Sequence, residues 1–76
     1  MNLNALNALV PGWTHGNTIV CNPSPYGGII DQAIVSKEWF VIFNDGRDTI
    51  GGLESFEDAV EAFAASQLQR YSREAR

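Results

Sequence analysis

The clearest periodic pattern in the chain lies in its last third, where apolar residues recur at helical spacing. Ser55 is suited to cap a helix, and Asp58 stands three residues later in a capping-box position. The apolar positions that follow form one stripe: Phe56, Ala59, Val60, Phe63, Ala64 and Leu68. This spacing predicts an amphipathic helix that buries the stripe against a sheet.

Runs of strand-forming residues occupy the stretch before this helix. Trp39–Phe43 is the most strand-like run, and its apolar residues fall on both faces, which indicates cover from both sides or from a partner. Asn44-Asp45-Gly46 is a turn signal, because these residues tolerate positive φ. Residues 47–50 are then expected to return as a strand, with Gly51-Gly52 ending it.

Shorter strands are predicted earlier in the chain. Residues 29–35 are rich in β-branched side chains and predict a strand that Ser36-Lys37-Glu38 connects to Trp39. Residues 22–28 contain two prolines and two glycines and predict a loop. Residues 18–21 predict a short strand, and residues 13–17 irregular chain.

The first ten residues carry a second, shorter helical pattern. Leu3, Leu6, Leu9 and Val10 fall near one face, and Pro11 stops the run. The order of elements therefore predicts a small two-layer α+β domain over residues 1–76. It consists of an antiparallel β-meander of three or four strands, a C-terminal helix packed on it and a short N-terminal helix.

The composition of the chain indicates the cellular compartment in which this domain works. The chain has 76 residues and one cysteine, Cys21, which excludes an intrachain disulfide and favours a reducing compartment. No apolar run approaches the length of a membrane span, and the N-terminus lacks the pattern of a signal peptide. We therefore expect a cytoplasmic protein that does not bind membranes.

Charge is concentrated in one region. The formal net charge is −4, residues 1–30 carry no charged side chain, and Arg47 is the sole cation in residues 45–61. The carboxylates of that region are Asp45, Asp48, Glu54, Glu57, Asp58 and Glu61. Such a block disfavours direct nucleic-acid binding and suits a basic protein partner, or serves solubility alone. We expect the turn and the helix start to lie close together and to form one acidic patch.

Aromatic residues supply a second set of candidates. Trp13, Tyr26 and Trp39 either belong to the core or contact a partner, since Trp and Tyr are enriched at interface hot spots. We include Trp13 and Tyr26 with the acidic residues as candidate partner-binding positions.

Several kinds of reactive site are not expected. Cys21 and His15 suggest a thiol nucleophile and its base, but no third orienting group accompanies them, and a structural cysteine is the simpler interpretation. One His and one Cys are too few for a zinc site. Glu57 and Glu61 lie one helical turn apart, as a general acid and base could. Two carboxylates on one face of a helix are more simply explained as part of its solvent-exposed surface. We predict no catalytic residue, no metal and no cofactor.

The strand–turn–helix segment resembles a known family. Trp39–Gly46 followed by Gly52–Ala59 is similar to the strand–helix unit of HicB-family antitoxins. Asn44-Asp45-Gly46 replaces the aromatic-Pro-Asp segment usual there, and no DNA-binding half is recognised. In size, acidity and lack of active-site residues, the chain is similar in type to phage anti-CRISPR proteins.

These resemblances imply an inhibitor rather than an enzyme. We expect a non-enzymatic protein of phage or mobile-element origin, acting in the host cytosol. It would block a basic nucleic-acid-binding surface of a larger complex. The alternatives are an antitoxin that neutralises a small RNase, a small enzyme or ligand carrier that uses Cys21 and His15, and a subunit of a homo-oligomer. A homodimer is compatible with any of these.

Overall fold

The computed structural model describes residues 3–16 and 19–74, with side chains through residue 68. Its elements are α1 (Leu3–Leu9), β1 (Thr14–His15), β2 (Val20–Cys21), β3 (Gly28–Gln32), β4 (Trp39–Phe43), β5 (Ile50–Leu53) and α2 (Phe56–Glu74). The strands form one antiparallel sheet in the order β1-β2-β3-β4-β5. The predicted α+β class is confirmed, and the meander has five strands rather than three or four.

The core lies between one face of the sheet and the two helices. Val20, Ile30, Val41 and Phe43 point to this inner face, and Phe63 of α2 is fully buried against them. The remaining core residues are Leu6, Val10, Trp13, Ala59 and Val60. Each fully buried large side chain contributes about 1.5–3 kcal/mol, so this layer supplies most of the driving force for folding.

The C-terminal helix begins where its capping residue predicts. The Asp58 amide donates a hydrogen bond of 3.0 Å to Ser55 Oγ, which satisfies one of the otherwise unpaired amides of the first turn. The predicted stripe is wrong at Leu68, which is 65% exposed, because Gln67 occupies the buried position of that turn. The side-chain amide of Gln67 can be buried at this position because its oxygen accepts a hydrogen bond from Arg47.

Strand boundaries agree with the sequence at β4 and differ on either side of it. β3 ends at Gln32, so the predicted strand over residues 29–35 is too long, and Ile34 and Val35 lie in a turn. β5 comprises Ile50–Leu53 instead of residues 47–50. Its two glycines belong to the strand because backbone pairing with β4, rather than side-chain propensity, determines it.

The N-terminal region is also more ordered than predicted. Thr14–His15 forms the edge strand β1 through pairing with β2. The predicted strand over residues 18–21 is observed as Val20–Cys21, and Thr18 lies outside the described residues, as do Asn2 and Asn17. In the described part of the chain, no helix is both long and apolar enough to cross a membrane.

Candidate protein-binding surfaces

The sheet has two ends, and α2 runs from one to the other. At the first end β4 begins, β5 ends and α2 begins. The Trp39 and Phe56 rings pack edge to face there, with their centres 5.6 Å apart. At the second end the Asn44–Thr49 connection meets the middle of α2, where Arg47 contacts Ser66 and Gln67. The two ends therefore present separate surfaces.

Four carboxylates lie at the first end, and a fifth, Glu61, follows one helical turn further along α2; we call these five residues the acidic end. They are Glu38, Glu54, Glu57, Asp58 and Glu61, and all five residues are exposed. Trp39 pairs with Leu53, so continuing that register places Glu38 beside Glu54. Lys37, in the turn next to Glu38, is the cation adjoining this group among the residues whose side chains are described. Sequence analysis missed Glu38 because it belongs to the cluster only through strand pairing.

The local structure fixes how these carboxylates are displayed. Glu38 Oε2 lies 3.8 Å from the position that a Cβ on Gly52 would occupy, so this side chain extends over the bare glycine. Glu57 and Glu61 are four residues apart in α2, which places them on neighbouring turns of one face. The positive end of the helix dipole partly offsets the repulsion at Glu57 and Asp58. The acidic end is therefore built by a strand, a loop and a helix together.

Asp45 and Asp48 lie at the opposite end, which corrects the expectation of one acidic patch. Four residue steps of β4 separate the two ends by about 13 Å. The Debye length is only about 8 Å in physiological salt, so exposed charges at the two ends act almost independently. In addition, the Asp45 carboxylate accepts from Arg47 Nε at 2.9 Å, which neutralises part of its charge.

Arg47 has a structural role that its sequence position did not reveal. Its guanidinium lies 4.3 Å from the centre of the Phe43 ring. Its terminal nitrogens donate to the Ser66 carbonyl oxygen at 3.0 Å and to Gln67 Oε1 at 2.9 Å. The single cation of the acidic stretch is thus used to attach the β4–β5 connection to α2. It does not offset the carboxylates of the acidic end.

The two aromatic candidates separate into different environments. Trp13 is only 3% exposed and packs edge-on against Phe63 with ring centres 5.1 Å apart, so it is a core residue and not a surface contact. Tyr26 is 49% exposed, in the loop before β3. This loop adjoins the second end, since Asn44 donates its amide hydrogen atoms to the carbonyl oxygens of Asn22 and Ser24.

The cysteine and the histidine are not arranged as a nucleophile and base. Thr14 pairs with Cys21 and His15 pairs with Val20, so side-chain alternation directs Cys21 and His15 to opposite faces of the sheet. The Cys21 thiol instead lies 4.0 Å from the Thr14 hydroxyl. Among the residues whose side chains are described, no three His, Cys, Asp or Glu residues are grouped to hold a metal ion.

The outer face of the sheet carries apolar side chains without a covering helix. Ile29, Phe40 and Ile42 alternate with core residues and point away from α2, and Ile42 is 39% exposed. Beside them lies an open depression of about 620 Å³ lined by Thr14, Cys21, Pro23 and Ile29, among others. Asp31 sits on the same face opposite Phe40. Because β4 is apolar on both faces, its sequence predicted that both faces of the sheet would be covered. The outer face is the one that α2 leaves uncovered.

Comparisons of the chain with protein-family models, curated proteins and solved structures find no match.

Proposed function

We propose that this protein is a non-enzymatic inhibitor that covers a basic, nucleic-acid-binding surface of a larger complex, in the manner of anti-CRISPR proteins. The observation that carries the proposal is the placement of four exposed carboxylates at one end of the sheet, with Glu61 one helical turn further along α2 and Arg47 engaged elsewhere. Carboxylates pair with Lys and Arg side chains through charge-assisted hydrogen bonds, as phosphates do. A partner surface occupied in this way loses its access to nucleic acid.

Electrostatics also favours rapid capture of such a partner. The acidic end holds five carboxylates beside the single ammonium group of Lys37. A surface of one sign steers an oppositely charged partner and raises the association rate, with a strong dependence on salt. Inhibition of this kind needs no catalytic residue in the inhibitor.

The test is a nucleic-acid-binding assay with purified CRISPR effector complexes as the first targets. Fluorescence anisotropy of labelled target DNA reports whether the protein prevents loading. The triple variant Glu57→Lys/Asp58→Lys/Glu61→Lys is expected to raise the concentration for half-inhibition about 100-fold, because several charge pairs become repulsive. Circular dichroism verifies that the variant is folded.

Asp48→Lys is the matched control, because it reverses an exposed carboxylate at the opposite end. It is expected to leave inhibition within about twofold of the native protein, since screening separates the two ends. Unchanged inhibition by the triple variant would contradict the proposal. Equal loss of inhibition in Asp48→Lys would show that the contact surface extends over the second end, as the sequence first indicated.

A homo-oligomer subunit is a second candidate, favoured by the uncovered outer face of the sheet. Stacking this face against a second copy would bury Phe40 and Ile42. The same contact would also bury the Asp31 carboxylate, which is costly unless a cation pairs with it. Sedimentation velocity at micromolar concentration distinguishes the two cases, and a dimer abolished by Ile42→Glu would support the oligomer.

A further inference from the structure

The β3–β4 turn exposes two large apolar residues at its tip. Ile34 is 85% exposed and Val35 is 94% exposed, the highest values among the large hydrophobic residues whose burial is described. Turn positions usually carry Gly, Pro, Asn, Asp or Ser, which suit the backbone and the solvent. Two adjacent aliphatic side chains at such a tip contribute nothing to the core that the fold requires.

The turn that carries them is held by a local hydrogen-bond network. The Ala33 amide donates to the Glu38 carbonyl oxygen at 2.9 Å, and the Lys37 amide donates to the Ala33 carbonyl oxygen at 3.0 Å. Gln32 Nε2 donates to the Lys37 carbonyl oxygen at 2.8 Å. A tip fixed in this way loses little conformational entropy on binding, which is the property of an effective anchor.

The tip belongs to the acidic end. β3 and β4 pair up to Gln32 and Trp39, and Trp39 pairs with Leu53, so the turn projects from the same end of the sheet as Glu38 and Glu54. The two aliphatic side chains therefore lie at the end of the sheet that carries these carboxylates. Interface hot spots have this arrangement of an apolar centre within a polar rim.

We infer that Ile34 and Val35 are the apolar anchor of the acidic end and insert into an apolar recess bordered by Lys and Arg on the partner. This inference rests on the proposed function and specifies the shape of the partner surface. Charge complementarity selects the occupant, because the carboxylates at the same end of the sheet require cations across the interface. A second copy would bring two acidic ends together, and two residues per copy bury far less than the roughly 800 Å² per partner of a stable interface.

The first step of the test is photo-cross-linking. Benzoylphenylalanine replaces Val35, and the labelled protein is irradiated in a lysate of the source organism. The expected adduct joins the benzoylphenylalanine at position 35 to a peptide from the Lys- and Arg-rich surface of a nucleic-acid-binding protein. An adduct with a second copy of the chain, or no adduct at all, would overturn the inference.

The second step measures affinity for the purified, cross-linked partner. Ile34→Ser/Val35→Ser is expected to weaken binding by about tenfold or more, as loss of a hot spot does. Leu68→Ser is the control, because it removes a 65% exposed aliphatic side chain from another part of the surface. Both variants should keep the native melting temperature, since none of the three replaced side chains is buried.

The outcomes separate the anchor from the proposed function. Binding that falls with Glu57→Lys/Asp58→Lys/Glu61→Lys but not with Ile34→Ser/Val35→Ser overturns the anchor and leaves the proposed function in place. A partner that needs Ile34 and Val35, is basic and binds no nucleic acid supports the anchor and contradicts the proposed function. A partner without a basic surface overturns both.

Discussion

Arg47 shows how one residue can belong to a charged stretch of sequence and still have a core-like role. Its guanidinium contacts a carboxylate, an aromatic ring, a helix carbonyl and a buried amide, and its side chain is only 19% exposed. The planar fork of five donors suits several acceptors at fixed angles. The residue therefore connects the β4–β5 loop with α2 and does not neutralise the carboxylates of the acidic end.

Replacing Arg47 with Ala is expected to lower the free energy of unfolding by about 2–4 kcal/mol. The variant would leave Gln67 Oε1 unpaired, and Gln67 Nε2 already has no partner within the described part of the chain. Thermal unfolding should show the melting temperature falling by roughly 10 °C or more.

Arg47→Lys is the comparison for that experiment, because it keeps the charge and removes the fork. It should recover less than half of the lost stability, since an ammonium cannot reach Ser66 and Gln67 together in the same geometry. Full recovery by Lys would mean that charge alone accounts for the contribution of Arg47.

At the scale of elements, the β3–β4 hairpin contains a backbone position that its residue does not favour. Lys37 has φ of 63°, in the left-handed region that suits Gly or Asn. The position closes the turn, because the Lys37 amide donates to Ala33 while its carbonyl oxygen accepts from Gln32. The hairpin thus forms in spite of a local conformational penalty and not because of turn propensity.

Lys37→Gly is expected to raise the free energy of unfolding by about 0.5 kcal/mol, since relief of left-handed strain exceeds the added entropy of the unfolded chain. Ser36→Gly is the matched control one residue earlier, where φ is not positive. It should lower stability by about 0.5–1 kcal/mol. Chemical denaturation measures both, and two variants with equal effects would argue against strain at Lys37.

The elements differ in how far the sequence could predict them. Trp39–Phe43 and the start of α2 are predicted correctly because propensity, capping and packing agree there. The strand over residues 29–35 is overextended because β-branched residues suit both a strand and this exposed tip. β5 is misplaced because its glycines offer no side-chain signal, and its position depends on the partner strand.

The candidate site shows the same difference between features that local sequence determines and features that strand pairing and packing determine. The sequence identifies the helix-start carboxylates, since they are contiguous and accompany a cap. It does not place Asp45 and Asp48 at the opposite end, because that separation depends on the position of β5, which is set by its pairing with β4. Glu38 enters the cluster through strand register, and Trp13 leaves the candidate set through burial. Long-range arrangement decided all three.

For the whole molecule, the acidic end opposes stability. The acidic end has five exposed carboxylates in a domain of 76 residues, and Glu38 and Glu54 flank the last β4–β5 pair, Trp39 and Leu53, so that continuing the register sets them opposite each other. Like charges facing each other across strands destabilise a sheet. A cation in place of Glu38 or Glu54 would relieve this repulsion.

Glu38→Lys tests this trade-off, because it turns a repulsive pair into an attractive one. Stability should rise by about 0.2–1 kcal/mol in low salt, and the gain should shrink in 1 M NaCl as the charges are screened. Inhibition or partner affinity should fall in the same variant.

Asp48→Lys, at the other end, should leave binding unchanged. Thermal unfolding at two salt concentrations and a binding titration supply the three quantities. Opposite signs for stability and binding would show that the acidic end is maintained for its partner, whereas a variant less stable than the native protein would show that Glu38 supports the fold.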